Sequence, residues 1–139
     1  MMRTNYNVEG GDFTKAGNVA SCVKKTLKQL NVNAKIIKRV VIALYEAEVN
    51  IVAHAYQGHV TIDIDDQYIT MLLKDEGPGI EDIDLAMTQG FSTASAKVRE
   101  MGFGAGMGLP NIKKNVDELT LESEINLGTT LCLKVKLTE

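Results

Sequence analysis

Apolar residues recur at steps of three and four in two stretches of the chain and at steps of two, or in short runs, in the remainder. Val19, Cys22, Val23, Thr26, Leu27 and Leu30 fall on one stripe of a helix. That helix is predicted to begin near Asp12 or Thr14, after the Gly10-Gly11 break, and to run to about Leu30. Ile37, Val40, Val41, Leu44, Ile51, Val52 and Ala55 form the stripe of a second, longer helix, which follows Asn31–Asn33 and reaches about Tyr56. Before them Thr4–Val8 reads as a short strand. After them His59–Asp65 and Tyr68–Lys74 read as an antiparallel hairpin closed at Asp65-Asp66-Gln67. A short helical piece near Ile83–Met87, the polar stretch GFSTASAKVREMG and the run MGFGAGMGLP come next, the last opening a helix through about Asn115. Leu119–Glu124 and Thr130–Leu137 close the chain as two strands around Asn126–Gly128. This order predicts an α+β fold: a two-layer sandwich with helices on one face of a mixed, mostly antiparallel sheet.

Composition narrows the picture. The 139 residues suit a single domain spanning 1–139, with 45% hydrophobic and 24% charged residues and no repeat. No stretch approaches the roughly 20 apolar residues of a membrane span, and the N-terminus lacks the apolar run of a signal peptide, so a cytoplasmic protein without membrane contact is expected. A net charge of −3 provides no overall positive field, which argues against nucleic acid as a partner. Cys22 and Cys132 stand far apart, without metal or redox spacing, and are read as small buried hydrophobes.

Three clusters carry chemistry. Glu46, Asn50 and His54 follow one another at four-residue steps on the second helix, on a face turned from most of its apolar stripe. A carboxamide there can give a neutral oxygen to Mg²⁺, and a carboxylate can take a proton from an attacking hydroxyl; the same face could equally be a solvated polar one. Glu48 is read as a solvated residue of that ordinary kind, and His54 as a packing or hydrogen-bonding group. The second cluster, Asp75 to Ile80, places a carboxylate at the end of an apolar strand, able to accept from an exocyclic amine such as that of adenine. Gly77 and Gly79 would let the chain turn beneath a ring, although the same pattern is also a common turn.

The third cluster is the glycine run. Gly108 is followed by Leu109-Pro110, not by the Lys-Ser/Thr of a Walker loop, and the spacing is not that of a dinucleotide fingerprint. The strand lysine, H-R-D and D-F-G elements of eukaryotic-type protein kinases are missing as well. What remains is either a hinge or a loop feeding a helix N-terminus, whose free N–H groups favour phosphate.

Taken in order, these clusters resemble the Bergerat-fold (GHKL) ATPases, the superfamily of gyrase, heat-shock ATPase chaperones, histidine kinases and mismatch-repair ATPases. Glu46-x-x-x-Asn50 matches the N box, Asp75-x-Gly77-x-Gly79 the first glycine box, Gly104-x-Gly106-x-Gly108 the second, and Gly128-Thr129-Thr130 the closing Gly-Thr. The small size, His54-Ala55-Tyr56 after the N box and GFST at Gly90–Thr93 look most like the bacterial serine kinases of anti-sigma and stress-switch pathways. The resemblance implies ATP (or ADP) and Mg²⁺ as cofactors. It makes Glu46 the general base, Asn50 the metal ligand, Asp75 the adenine acceptor and Thr129 a second contact near the base. Ser92 and Thr93 become phosphate contacts, or alternatively the N-cap of a short helix over Ala94–Arg99, and residues of about 81–103 become a lid. The implied activity is transfer of phosphate to a serine or threonine of a small STAS-type antagonist. The alternative is ATP-dependent sequestration of a sigma factor or other regulator with little transfer. A homodimer is compatible with either.

Overall fold

The computed structural model describes residues 1–79 and 108–138. The expected helix near Ile83–Met87, the lid of about 81–103, and Ser92, Thr93, Gly104 and Gly106 lie outside the described residues.

Five strands, β1 (Met2–Glu9), β2 (Gln57–Ile64), β3 (Tyr68–Glu76), β4 (Glu118–Glu124) and β5 (Gly128–Lys136), form one sheet in the order β1-β2-β3-β5-β4. Each of the four pairings is antiparallel. Side chains alternate across the pleat. One face therefore carries continuous apolar rows such as Val60, Leu73 and Leu131, or Ile62, Met71 and Leu133, all buried. The adjacent row Thr61, Leu72 and Cys132 falls on the other face, where each residue is at least partly exposed.

Helices α1 (Asn18–Gln29), α2 (Ala34–His54) and α3 (Gly108–Asn115) complete the α+β sandwich that the residue pattern predicted. The long α2 touches β1, β2, β3 and β5 and packs against both other helices. Its Val40, Ala43 and Leu44, together with Leu27 of α1 and Ile112 of α3, are wholly inaccessible to solvent. Truncating any of the larger ones to alanine removes about 2–5 kcal/mol, the usual cost of a cavity in a close-packed core.

The structure corrects three expectations. The first helix does not start at Asp12 or Thr14: a single 3-10 turn, Phe13–Lys15, comes first, and Gly17, at φ +95°, leads into α1. Cys22 and Leu30 lie outside the core, Cys22 exposed and Leu30 45% exposed just past the end of α1. Both satisfy the helical step, but they sit at the edge of the stripe. Cys132 is half-buried, and both thiols are free.

Glu48 is the third correction. The residue expected to be solvated is 1% exposed. Its Oε2 accepts hydrogen bonds from the N–H groups of Gly17 (3.0 Å) and Val19 (3.1 Å), and its Oε1 accepts from Ala20 (3.0 Å). No side chain of its own segment caps α1, because glycine occupies the N-cap position. The free N–H groups and positive dipole of α1 are met instead by a carboxylate from the neighbouring helix.

Candidate functional site

Helix α2 begins on Asn33, whose side chain accepts from the Lys35 N–H at 2.8 Å, and then runs 21 residues through mostly strong helix formers. At its C-terminal half Glu46, Asn50 and His54 line up as their spacing predicted, each half-buried. Burial pushes the Glu46 carboxyl above the ordinary carboxylate range, and a hydrogen bond from the Asn111 side chain only partly opposes it. Burial likewise holds the His54 imidazole below its ordinary value, so it is neutral at pH 7.

Helix α3 covers this face. A Cβ on Gly108 would stand 3.0 Å from Asn50 Oδ1 and 3.2 Å from its Nδ2, so a side chain there would push the carboxamide aside by a few tenths of an ångström, and glycine lets the α3 N-terminus lie directly against it. One turn further, Asn111 reaches Glu46. Asn111 was not singled out in the sequence. Its signal was the three-residue step from Gly108, which places both on the same side of α3.

The second group gathers at the end of β3. Asp75 pairs across the sheet with Gly58, against which the Ile51 side chain of α2 packs, so this strand end lies over the C-terminal half of α2. The Thr129 N–H donates to Asp75 Oδ1 at 3.0 Å. The Thr129 hydroxyl in turn lies 2.9 Å from that of Ser123, which also donates to the Gly128 carbonyl at 3.2 Å. Ser123 also went unnoticed, since a serine within an alternating strand carries no signal until the register of β4 and β5 is known. Desolvation raises the Asp75 carboxyl above its ordinary value, with the Thr129 N–H opposing. Asp75 Oδ2 has no partner among the described residues.

The two glycines after Asp75 hold the strand end in place. The Gly77 N–H donates to the Leu127 carbonyl at 3.2 Å, and the Asn126 N–H to the Pro78 carbonyl at 2.9 Å, stapling the segment to the β4–β5 turn. Gly79 has φ +79°, and a Cβ there would lie 2.5 Å from the Glu124 carbonyl oxygen, so no other residue fits without strain. The site thus joins Glu46, Asn50, Gly108 and Asn111 between α2 and α3, and Asp75, Gly77, Gly79 and Thr129 at the strand end beside them.

A half-buried carboxyl raised by desolvation disfavours the fold once it ionises. For Asp75 the sign is definite. Its protonated contribution is fully present below the unfolded value and is lost as pH rises through the higher folded value. Asp75→Asn, which keeps an oxygen for the Thr129 N–H, is expected to raise the unfolding temperature near pH 7 and to leave it unchanged near pH 3. Thermal unfolding of both proteins at the two pH values measures this.

The model of the histidine kinase-like ATPase domain matches residues 12–135. An anti-sigma F factor of Geobacillus sp. (strain WCH70) is 32% identical over 100 residues, 68% of this chain and 65% of that relative, so the chain spans slightly less than two thirds of its length. The serine/threonine-protein kinase RsbT of Bacillus subtilis (strain 168) is 34% identical over 97 residues, 67% of each chain. Among solved structures, the RsbU and RsbW domains of a Mycobacterium tuberculosis protein match all of this chain and 33% of that one, with a TM-score of 0.68 at 16% identity, a likeness of fold. Among the described residues no helix is long and apolar enough to cross a membrane.

Proposed function

The chain belongs to the histidine kinase-like ATPase domain family, and from that premise we propose that it is an ATP-dependent protein serine/threonine kinase acting on a small STAS-type antagonist in a partner switch. The observation that carries the reading is the half-buried Glu46 one helical turn from Asn50, beneath the α3 N-terminus. A pure binding surface has no need of a desolvated carboxylate there.

The donor chemistry fits a magnesium nucleotide. Among the described residues there is no group of three or more His, Cys, Asp or Glu that would hold a metal by itself. Mg²⁺ commonly takes one or two protein oxygens, with phosphates and water completing the shell, and the Asn50 carboxamide can supply one. A magnesium nucleotide held here would supply the γ-phosphoryl group. Asp75 Oδ2 would accept from the exocyclic amine of adenine, with Thr129 beside it. The free N–H groups at the start of α3, from Gly108 on, would favour the phosphates, and Gly104, Gly106, Ser92 and Thr93, outside the described residues, are assigned to the same phosphates by their place in the motifs. Glu46 takes the proton of the incoming serine or threonine hydroxyl. That hydroxyl belongs to the STAS-type partner.

The relatives named anti-sigma F factor favour a second reading, in which ATP orders a surface that sequesters a sigma factor with little transfer. Incubation with labelled ATP, Mg²⁺ and purified STAS domains separates the two. Label on a serine or threonine of the partner, coupled to weaker binding of the modified form, is expected. ATP-dependent binding without modification would leave the sequestering reading.

A further inference from the structure

From Phe13 to Tyr45 the chain contains seven Lys and Arg and no Asp or Glu. The whole protein carries 15 cations and 18 anions, so the residues outside this stretch sum to −10. The segregation is structural as well as sequential, because the stretch builds α1 and the N-terminal half of α2, joined by a short turn and packed side by side.

Two of the cations are neutralised: Lys15 faces Asp12 at 3.8 Å, and Arg39 meets Asp117 at 3.0 Å. Lys24, Lys25, Lys28, Lys35 and Lys38 are exposed and have no ion pair among the described residues. Val19, Val23 and Leu27 of α1 and Ile37, Val40 and Leu44 of α2 point into the core, which leaves the lysines on the solvent side of the helical layer.

An exposed helix face normally mixes signs, with glutamates three or four residues from lysines. Here the neighbours at those steps are cations. Lys24 and Lys28 are four apart, as are Lys35 and Arg39, while Lys25 and Lys28, and Lys35 and Lys38, are three apart. Each such like-charge pair opposes the helix. Lys35 also sits in the first turn of α2, which holds no acidic residue, at the end of the dipole that disfavours a cation. Only Lys28, in the last turn of α1, stands where the helix dipole favours a cation; the other four lysines gain nothing of that kind.

We infer that the outer face of α1 and the start of α2 is a docking surface for an acidic protein face, carboxylates on a partner meeting Lys24, Lys25, Lys28, Lys35 and Lys38. Charge complementarity selects the class of partner. An extended polyanion would also meet the field of the remaining −10, whereas a compact acidic surface seated on the helical layer meets only the cations. The patch has lysines but no unpaired arginine for bidentate phosphate contacts, which suits carboxylates rather than a phosphate backbone. Lys38 precedes Glu46 by eight residues, about 12 Å along the helix, so the patch stands apart from the candidate site and holds whether or not that site transfers phosphate.

The test uses the full chain and a variant with Lys24, Lys25, Lys28, Lys35 and Lys38 all replaced by glutamine. The probes are a helical peptide with glutamates along one face, a short DNA duplex and vesicles containing phosphatidylserine. The native chain is expected to bind the acidic peptide more tightly than the duplex or the vesicles, with affinity falling steeply as salt rises. The variant should bind the peptide about tenfold more weakly or worse, and should unfold at the same or a higher temperature because repulsion is removed. Equal peptide binding by the two proteins would overturn the inference. So would tighter binding of duplex or vesicles, or a variant less stable than the native chain, which would mean that the lysines serve the fold.

Discussion

Replacing Glu48 with alanine is expected to cost the fold about 3–5 kcal/mol, a large part of the roughly 5–15 kcal/mol that holds a domain of this size together. The alanine variant leaves three N–H donors without their acceptor, those of Val19 and Ala20 buried and that of Gly17 part-buried. Hydrogen bonds to a charged group contribute about 1.5–3 kcal/mol each, and an orphaned buried donor carries its whole desolvation penalty. The alanine also leaves a void next to Val19 and Ala20, both core residues. Glutamine retains one acceptor oxygen of nearly the same shape and should recover part of the loss, with the donors of Gly17 and Val19 or that of Ala20 left facing its amide N–H₂. Urea unfolding of the native, Gln and Ala proteins should therefore give three separate midpoints in that order. Coincident midpoints for native and Ala would mean that water replaces the carboxylate at no cost, and that α1 is held by its apolar stripe alone.

Glu46→Gln is expected to lower phosphoryl transfer by about 10²–10⁴-fold while leaving ATP affinity close to native, because a general base acts on the reacting proton and not on the bound ground state. The pH dependence adds a readout specific to the base. Desolvation raises the Glu46 carboxyl, so more of it is protonated at mildly acidic pH than of a free glutamate. Only the ionised form can take a proton. Transfer by the native chain should then rise with pH along a limb whose midpoint lies above the ordinary glutamate value, and the residual transfer of the Gln variant should lack that limb. Single-turnover transfer from labelled ATP, followed across pH with both proteins, measures the two effects together. Equal rates for native and variant would remove Glu46 from the chemistry and leave ATP-dependent sequestration as the function.

Much of this protein was legible in the order of its residues. The helical stripes, the hairpin at Asp65-Asp66-Gln67 and the two closing strands are local patterns, set by side-chain period and turn chemistry over a few residues, and they recur in the fold with shifted ends. The alignment of Glu46, Asn50 and His54 was legible for the same reason, since four residues make about one turn wherever a helix lies. The spacing of the glycine boxes pointed to the family before any coordinate did. Helix ends were less legible, because α1 starts where Glu48 can reach it, a condition written in another element.

Tertiary structure alone decided everything that depended on which element faces which. Glu46, Glu48 and Asn50 are neighbours in sequence with similar polarity, yet α1 buries Glu48, while α3 leaves Glu46 and Asn50 half-buried between the helices. Asn111 and Ser123 acquired roles only when α3 lay on α2 and when the register of β4 and β5 set Ser123 opposite Thr129. Cys22 kept its helical step but not its burial. The sequence by itself determined the elements, their order and the family, because those follow from short-range periodicity and motif spacing. Burial, hydrogen-bond partners and raised carboxyls were decided by packing, because desolvation is a property of what surrounds a side chain and not of the side chain itself.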